Sequence, residues 1–170
     1  MKKKLSLTFL FSLFAFALCY AQTPAEAPEV RAKKKIEPVI KYIDSKITDP
    51  SKKLTAAQKK EMTDARLAYE VGSDSIPMLR AEILKELEAI KAKAAELNEK
   101  VAESEEEAAQ INAEKEALAK QSEVLKEKQD DLKAMPERLK TTMEESIKKV
   151  LKGDQLKAYN EMLAAQKAKK

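Results

Sequence analysis

Histidine and tryptophan are absent from this chain, cysteine occurs once, at Cys19, and glycine only twice, at Gly72 and Gly153. Without histidine, nucleophile–base arrangements of the Ser–His or Cys–His kind are excluded. The usual zinc donors are missing for the same reason. No glycine-rich phosphate loop is present, so nothing points to work driven by nucleotide hydrolysis. The four phenylalanines, Phe9, Phe11, Phe14 and Phe16, all lie close to the N-terminus, and beyond residue 21 the only aromatics are Tyr42, Tyr69 and Tyr159. A large core normally draws on aromatic volume. This chain offers Leu, Ile, Val, Met and Ala beside 36% charged residues, the composition of long helices packed along narrow seams. The expectation is an all-α fold that is not an enzyme, with no catalytic, cofactor-binding or metal residue.

The first residues are set apart by their own pattern. Lys2, Lys3 and Lys4 precede an apolar run from Leu5 to Leu18, and Cys19-Tyr20-Ala21 supplies small residues where a signal peptidase reads. That is a secretory signal peptide over 1–21, too short for a spanning helix, and it implies an exported, periplasmic protein. Acylation of Cys19 as a lipoprotein is the disfavoured alternative, because Leu18 stands where a small residue is needed. The three leader lysines belong to the 33 basic residues, so the remainder carries 30 against 29 acids. A chain so balanced gives no electrostatic reason to bind nucleic acid. Nor does it offer a segment for stable membrane insertion.

Residues 22–29, with Pro24 and Pro28, read as a disordered leader. A helix is expected over 30–47, where Ile36, Val39, Ile40, Ile43 and Ile47 share a face. Asp49-Pro50-Ser51 closes it as a turn. Thr55-Ala56-Ala57-Gln58 then fits a capping box that opens a second helix, with Gly72-Ser73-Asp74-Ser75 expected to end it. Domain boundaries follow: N-terminal helices over 30–75, a long heptad helix over 76–135, and C-terminal helices over 136–170.

The heptad pattern is the strongest signal in the chain. Ile76, Ile83, Ile90, Leu97, Ser104, Ile111, Leu118, Leu125, Leu132 and Leu139 recur every seven residues, and all but Ser104 are Ile or Leu. Such a repeat predicts a left-handed coiled-coil seam and self-association, with a dimer favoured. The register continues unchanged through the acidic cluster Ser104-Glu105-Glu106-Glu107. That continuity favours one rod of ~87 Å over a hairpin folded at the cluster. Pro136 is expected to break the rod, leaving a helix over 137–151 and a last helix started by Gly153-Asp154, with Leu156, Tyr159, Met162 and Leu163 inward.

Leu54-Thr55-Ala56-Ala57-Gln58 resembles the LTxxQ motif of the Spy/CpxP family of periplasmic proteins. A second copy is degenerate: Leu151-Lys152-Gly153-Asp154-Gln155 keeps the leucine and the glutamine but has Lys152 in place of threonine. The resemblance implies small helical proteins that bind unfolded envelope proteins without ATP or act in envelope stress. It implies a structural role for Leu54, Thr55, Gln58, Asp154 and Gln155, with Asp154 taking over the capping in the second copy. The long heptad segment departs from the family pattern and suggests the rival reading, a coiled-coil scaffold or spacer with one dedicated partner. In the first reading Met62, Met78, Met135, Met143 and Met162 together supply adaptable apolar surface, whereas each taken alone is expected to fill the seam between helices.

Overall fold

Caps and apolar stripes divide residues 26–168, the part of the chain that a computed structural model describes, into four α-helices joined by short turns. The expected signal peptide with Cys19, residues 22–25 of the leader, and Lys169 and Lys170 lie outside the described residues. Helix α1 spans Pro28–Lys46, α2 Ala56–Glu99, α3 Glu105–Val150 and α4 Asp154–Lys167, with a 3₁₀ turn at Pro50–Lys52. No strand occurs among the described residues, and the fold is all-α. None of these helices is long and apolar enough to cross a membrane.

Helix α1 begins inside the expected leader, because Pro28 sits in the first turn, where a missing amide hydrogen costs nothing. It also runs on through Pro38. The 3₁₀ turn is opened by Asp49, whose carboxylate accepts from the amide of Ser51 at 2.9 Å. Helix α2 is opened by Thr55 and Gln58, which form a reciprocal capping box.

Two expected breaks are not breaks. Helix α2 continues through Gly72-Ser73-Asp74-Ser75 and Pro77, and α3 continues through Pro136. Gly72 is not a left-handed cap; among the described residues the only positive φ is at Gly153. Gly72 serves close packing instead, since an added Cβ would stand 2.8 Å from Leu139 Cδ2. A proline inside a helix costs about 3 kcal/mol locally. Packing of the flanking turns against the partner helix outweighs that penalty at both positions.

The real break falls where the heptad register suggested none. Residues 100–104 leave the helix, and the chain reverses. Ser104 caps α3 by accepting from the amide of Glu107 at 3.2 Å, and the Glu107 carboxylate reaches back to the amide of Glu103 at 2.8 Å. Glu105, Glu106 and Glu107 fill the first turn, where negative charge favours a helix start. The expected 76–135 rod is therefore a hairpin.

Helices α2 and α3 pair antiparallel along their length. Gln58 meets Val150, Arg66 meets Met143, Gly72 meets Leu139, and Ile83 packs with Leu125 and Leu132. The heptad residues thus face one another within one chain. Ile83, Leu97, Leu118, Leu125 and Leu132 are buried, and Ile76, Ile90, Ile111 and Leu139 are half-buried. The surface that motivated the expectation of a dimer is filled by the chain itself.

Helix α1 lies antiparallel to α2, from Arg31 beside Asp74 at one end to Asp44 beside Leu54 and Lys59 at the other. Helix α4 packs against α1, and its Tyr159 joins Ile36, Ile43, Ile47, Leu54, Met62, Ile147 and Leu151 in one core. These elements form a four-helix base. Above the Arg31–Asp74 level the hairpin continues as a two-helix arm, ~35 Å long for residues 77–99.

If the seam closes within one chain, replacing Ile90 and Leu97 together by aspartate melts the arm. Circular dichroism should then show a loss of helical signal at unchanged sedimentation mass. A fall in mass with full helicity retained would place the seam between chains.

Candidate functional site

The hairpin brings together two segments that lie almost a hundred residues apart in sequence. Gln58 Nε2 donates to Gln155 Oε1 at 2.8 Å and to the carbonyl of Val150 at 2.7 Å. Gln155 Nε2 donates to the carbonyl of Lys52 at 2.8 Å, and its Oε1 also accepts from the amide of Lys152 at 3.1 Å. Each glutamine therefore bonds the main chain at its own helix start and reaches to the main chain beside the other. Leu54 and Leu151 are buried beneath them in the shared core. Although Gln155 is buried, both ends of its amide are satisfied, and among the described residues no buried side-chain nitrogen or oxygen lacks a partner.

The second start is only half of a capping box. Gln155 reaches back to the Lys152 amide just as Gln58 reaches back to that of Thr55 at 3.0 Å. No hydroxyl stands at 152 to complete the pair. Asp154 does not take over: it occupies the first helical position, and the start of α4 carries no side-chain cap. It lies one residue too late for that role, and its charge beside the helix N-terminus is what remains favourable.

A second polar node ties α1 to α2. Glu70, only 4% exposed, receives Lys35 Nζ at 3.0 Å, Arg66 Nη2 at 2.6 Å and Arg31 Nε at 3.2 Å. Arg31 also pairs with Asp74. Arg66 lies 4.7 Å from the Tyr69 ring centroid, and its Nη1 approaches Met143 Sδ at 3.6 Å. Burial pushes the Glu70 carboxyl up, but the bonds from Lys35, Arg66 and Arg31 outweigh burial and hold it below its ordinary value. This node was not anticipated, although Arg66 and Glu70 stand at the i, i+4 spacing of a helical ion pair. The same holds for Ser104 and Glu107, whose S-x-x-E spacing is a capping signal. Tyr159 does no acid–base work near neutral pH: burial first, and Glu144 second, push its hydroxyl up to about 12.

Of the five methionines expected to offer adaptable surface, Met62 is fully buried, and Met143 and Met162 pack against the base core. Met78 is 75% exposed, and Met135 borders a groove on the arm. That groove, about 610 Å³, lies between Leu79 and Ile83 of α2 and Leu132 and Met135 of α3, rimmed by Glu127, Lys128 and Asp131. Through Lys128 it meets a second depression of about 460 Å³ beside Ile90, Val124 and Leu125. The arm therefore carries a stepped apolar groove with charges of both signs on its rim. At the junction the cavity of about 710 Å³ around Gln58 and Gln155 is edged by Lys52, Lys53, Lys149 and Lys152 together with Glu61 and Asp154. Among the described residues no cluster of acidic side chains, His or Cys could hold a metal ion.

Comparison of the chain with protein-family models, with curated proteins and with solved structures finds no match.

Three outcomes follow from these nodes. Thr55→Ala removes one cap and should cost about 1 kcal/mol in thermal or urea unfolding. Gln58→Ala leaves Gln155 and the Val150 carbonyl short of a donor and should cost more, about 2–3 kcal/mol. Glu70 is depressed in the folded chain, so the stability it contributes is present above the unfolded value of 4.5 and is lost as pH falls through the folded one. Unfolding temperature measured down to acid pH should drop below about 4.5 in the wild type and drop less in Glu70→Gln. Parallel curves would remove Glu70 as a source of acid sensitivity.

Proposed function

We propose that this chain is an exported, ATP-independent chaperone or envelope-stress protein of the Spy/CpxP kind, which holds partly folded envelope proteins by the apolar groove of its arm. The observation that carries the reading is the groove between Leu79, Ile83, Leu132 and Met135, which no other part of the described chain fills. Its walls are aliphatic and thioether side chains, which adapt to varied apolar segments. Glu127, Lys128 and Asp131 on the rim suit the mixed charges that flank such segments and oppose irreversible association. A groove on a slim arm is open to extended chains that a closed pocket would exclude. The junction of Gln58 with Gln155 serves this reading by holding the two roots of the arm together.

The rival reading is a coiled-coil scaffold or spacer of the envelope with one dedicated partner. Val101, 84% exposed in the turn at the tip of the arm, is the observation in its favour. A single apolar contact at the end of a charged arm suits a fixed partner better than many clients.

Aggregation of two unrelated unfolding proteins, followed by light scattering without nucleotide, separates the readings. Both clients should be protected at near-stoichiometric amounts, and Leu79→Ser with Met135→Ser should lose at least half of that protection while keeping full helicity. Protection of neither client by a folded sample would sink the chaperone reading and leave the scaffold.

A further inference from the structure

Each of the two long helices contains one proline, Pro77 in α2 and Pro136 in α3. The antiparallel pairing places them at one level. Below them Gly72 packs against Leu139, and above them Ile83 packs with Leu132, so both prolines fall between the same two contacts. A proline cannot donate to the carbonyl four residues before it, and its ring crowds that carbonyl. The Ser73 and Leu132 carbonyls are thus deprived of their helical donors at the same height in both helices. Paired prolines soften both strands of the hairpin at once, whereas a single one would be splinted by its straight neighbour.

Three further features mark this level. Helix α1, which covers α2 in the base, starts here, with Arg31 bonded to Asp74 just below Pro77. On α2 the Ser75 hydroxyl donates to the Gly72 carbonyl at 2.7 Å, a local side-chain bond that competes with the helix's own ladder. On α3 Arg138 spans the proline turn, donating to the Asp131 carbonyl at 3.0 Å and pairing with its carboxylate at 2.7 Å. The base core lies below this level and the seam cluster of Ile83, Leu125 and Leu132 above it.

We propose that Pro77 and Pro136 together form a hinge, about which the arm tilts as a unit while the core below and the seam above stay intact. The groove bounded by Leu79, Ile83, Leu132 and Met135 begins within one turn of the hinge, so tilting changes its width. This inference is independent of what the groove holds. Sharp bends in helices have identifiable causes, and here the cause is doubled at one height.

Distances between spin labels measure the tilt directly in the full chain. With Cys19→Ser to keep labelling unique, one pair joins the tip to the base (Val101→Cys with Lys34→Cys). A second pair lies within the arm (Leu84→Cys with Val124→Cys). The tip-to-base distribution should be broad with the native prolines, and at least twofold narrower after Pro77→Ala with Pro136→Ala. The pair within the arm should be narrow in both backgrounds. Equal tip-to-base widths with and without the prolines would overturn the hinge. So would an arm pair as broad as the tip-to-base pair, which would mean fraying of the seam.

Discussion

Everything above the level of single helices depends on one interaction, the closing of the heptad seam on itself. Ile83 and Ile90 of α2 meet Leu125 and Leu132 of α3 because the chain turns back at residues 100–104. That reversal brings Gln58 to Gln155, stacks Gly72 against Leu139 and sets the two prolines side by side. Had the helix run straight, none of these pairs could form, and the leucine rail would need a second chain. Each buried aliphatic side chain of the seam contributes about 1.5–3 kcal/mol of transfer free energy. A seam of several such residues dominates the small local preference for a continuous helix at the turn.

Two polar nodes then decide the geometry of the base. The glutamine pair satisfies two helix starts and ties the roots of the hairpin, using amides that both donate and accept. Glu70 works differently, as a buried anion matched by Arg31, Lys35 and Arg66. Its net contribution to stability is modest, since desolvation offsets much of the attraction. Its consequence is register: α1 can lie on α2 at only one height if both of its cations, Arg31 and Lys35, are to reach the same carboxylate. The start of α1, the end of the covered base and the proline level are set together by that match.

The all-α class, the capping box at Thr55 and the seam residues were legible because each rests on local spacing. The stripe of Ile36, Ile43 and Ile47 faces the core for the same reason. The hairpin was not legible from register alone. A heptad repeat reports that a helix wants a partner; it is silent on whether the partner is another chain or the same one, since the pattern of apolar positions is identical. Ser104 and Glu107 held the decisive signal, hidden within an acidic run that also reads as solvated surface. Gly72 and Pro136 misled in the opposite direction. Their local cost is real, but tertiary packing exceeds it, and the same residues that appeared to end helices set the spacing and softness of the hairpin. Asp154 shows how narrow capping geometry is, since one residue of offset removes the bond.

A base made by two polar nodes and one apolar core holds out a slim arm whose groove is left open. The intramolecular hairpin is tested by the distance between Glu61 and Lys149, which border the same cavity at its foot. Energy transfer between dyes on cysteines at these two positions, in doubly labelled chains diluted into excess unlabelled protein, measures it within single molecules. A hairpin predicts near-complete transfer at every dilution. Transfer that vanishes on dilution, or a separation approaching the ~130 Å of an unbroken helix between those positions, would contradict it.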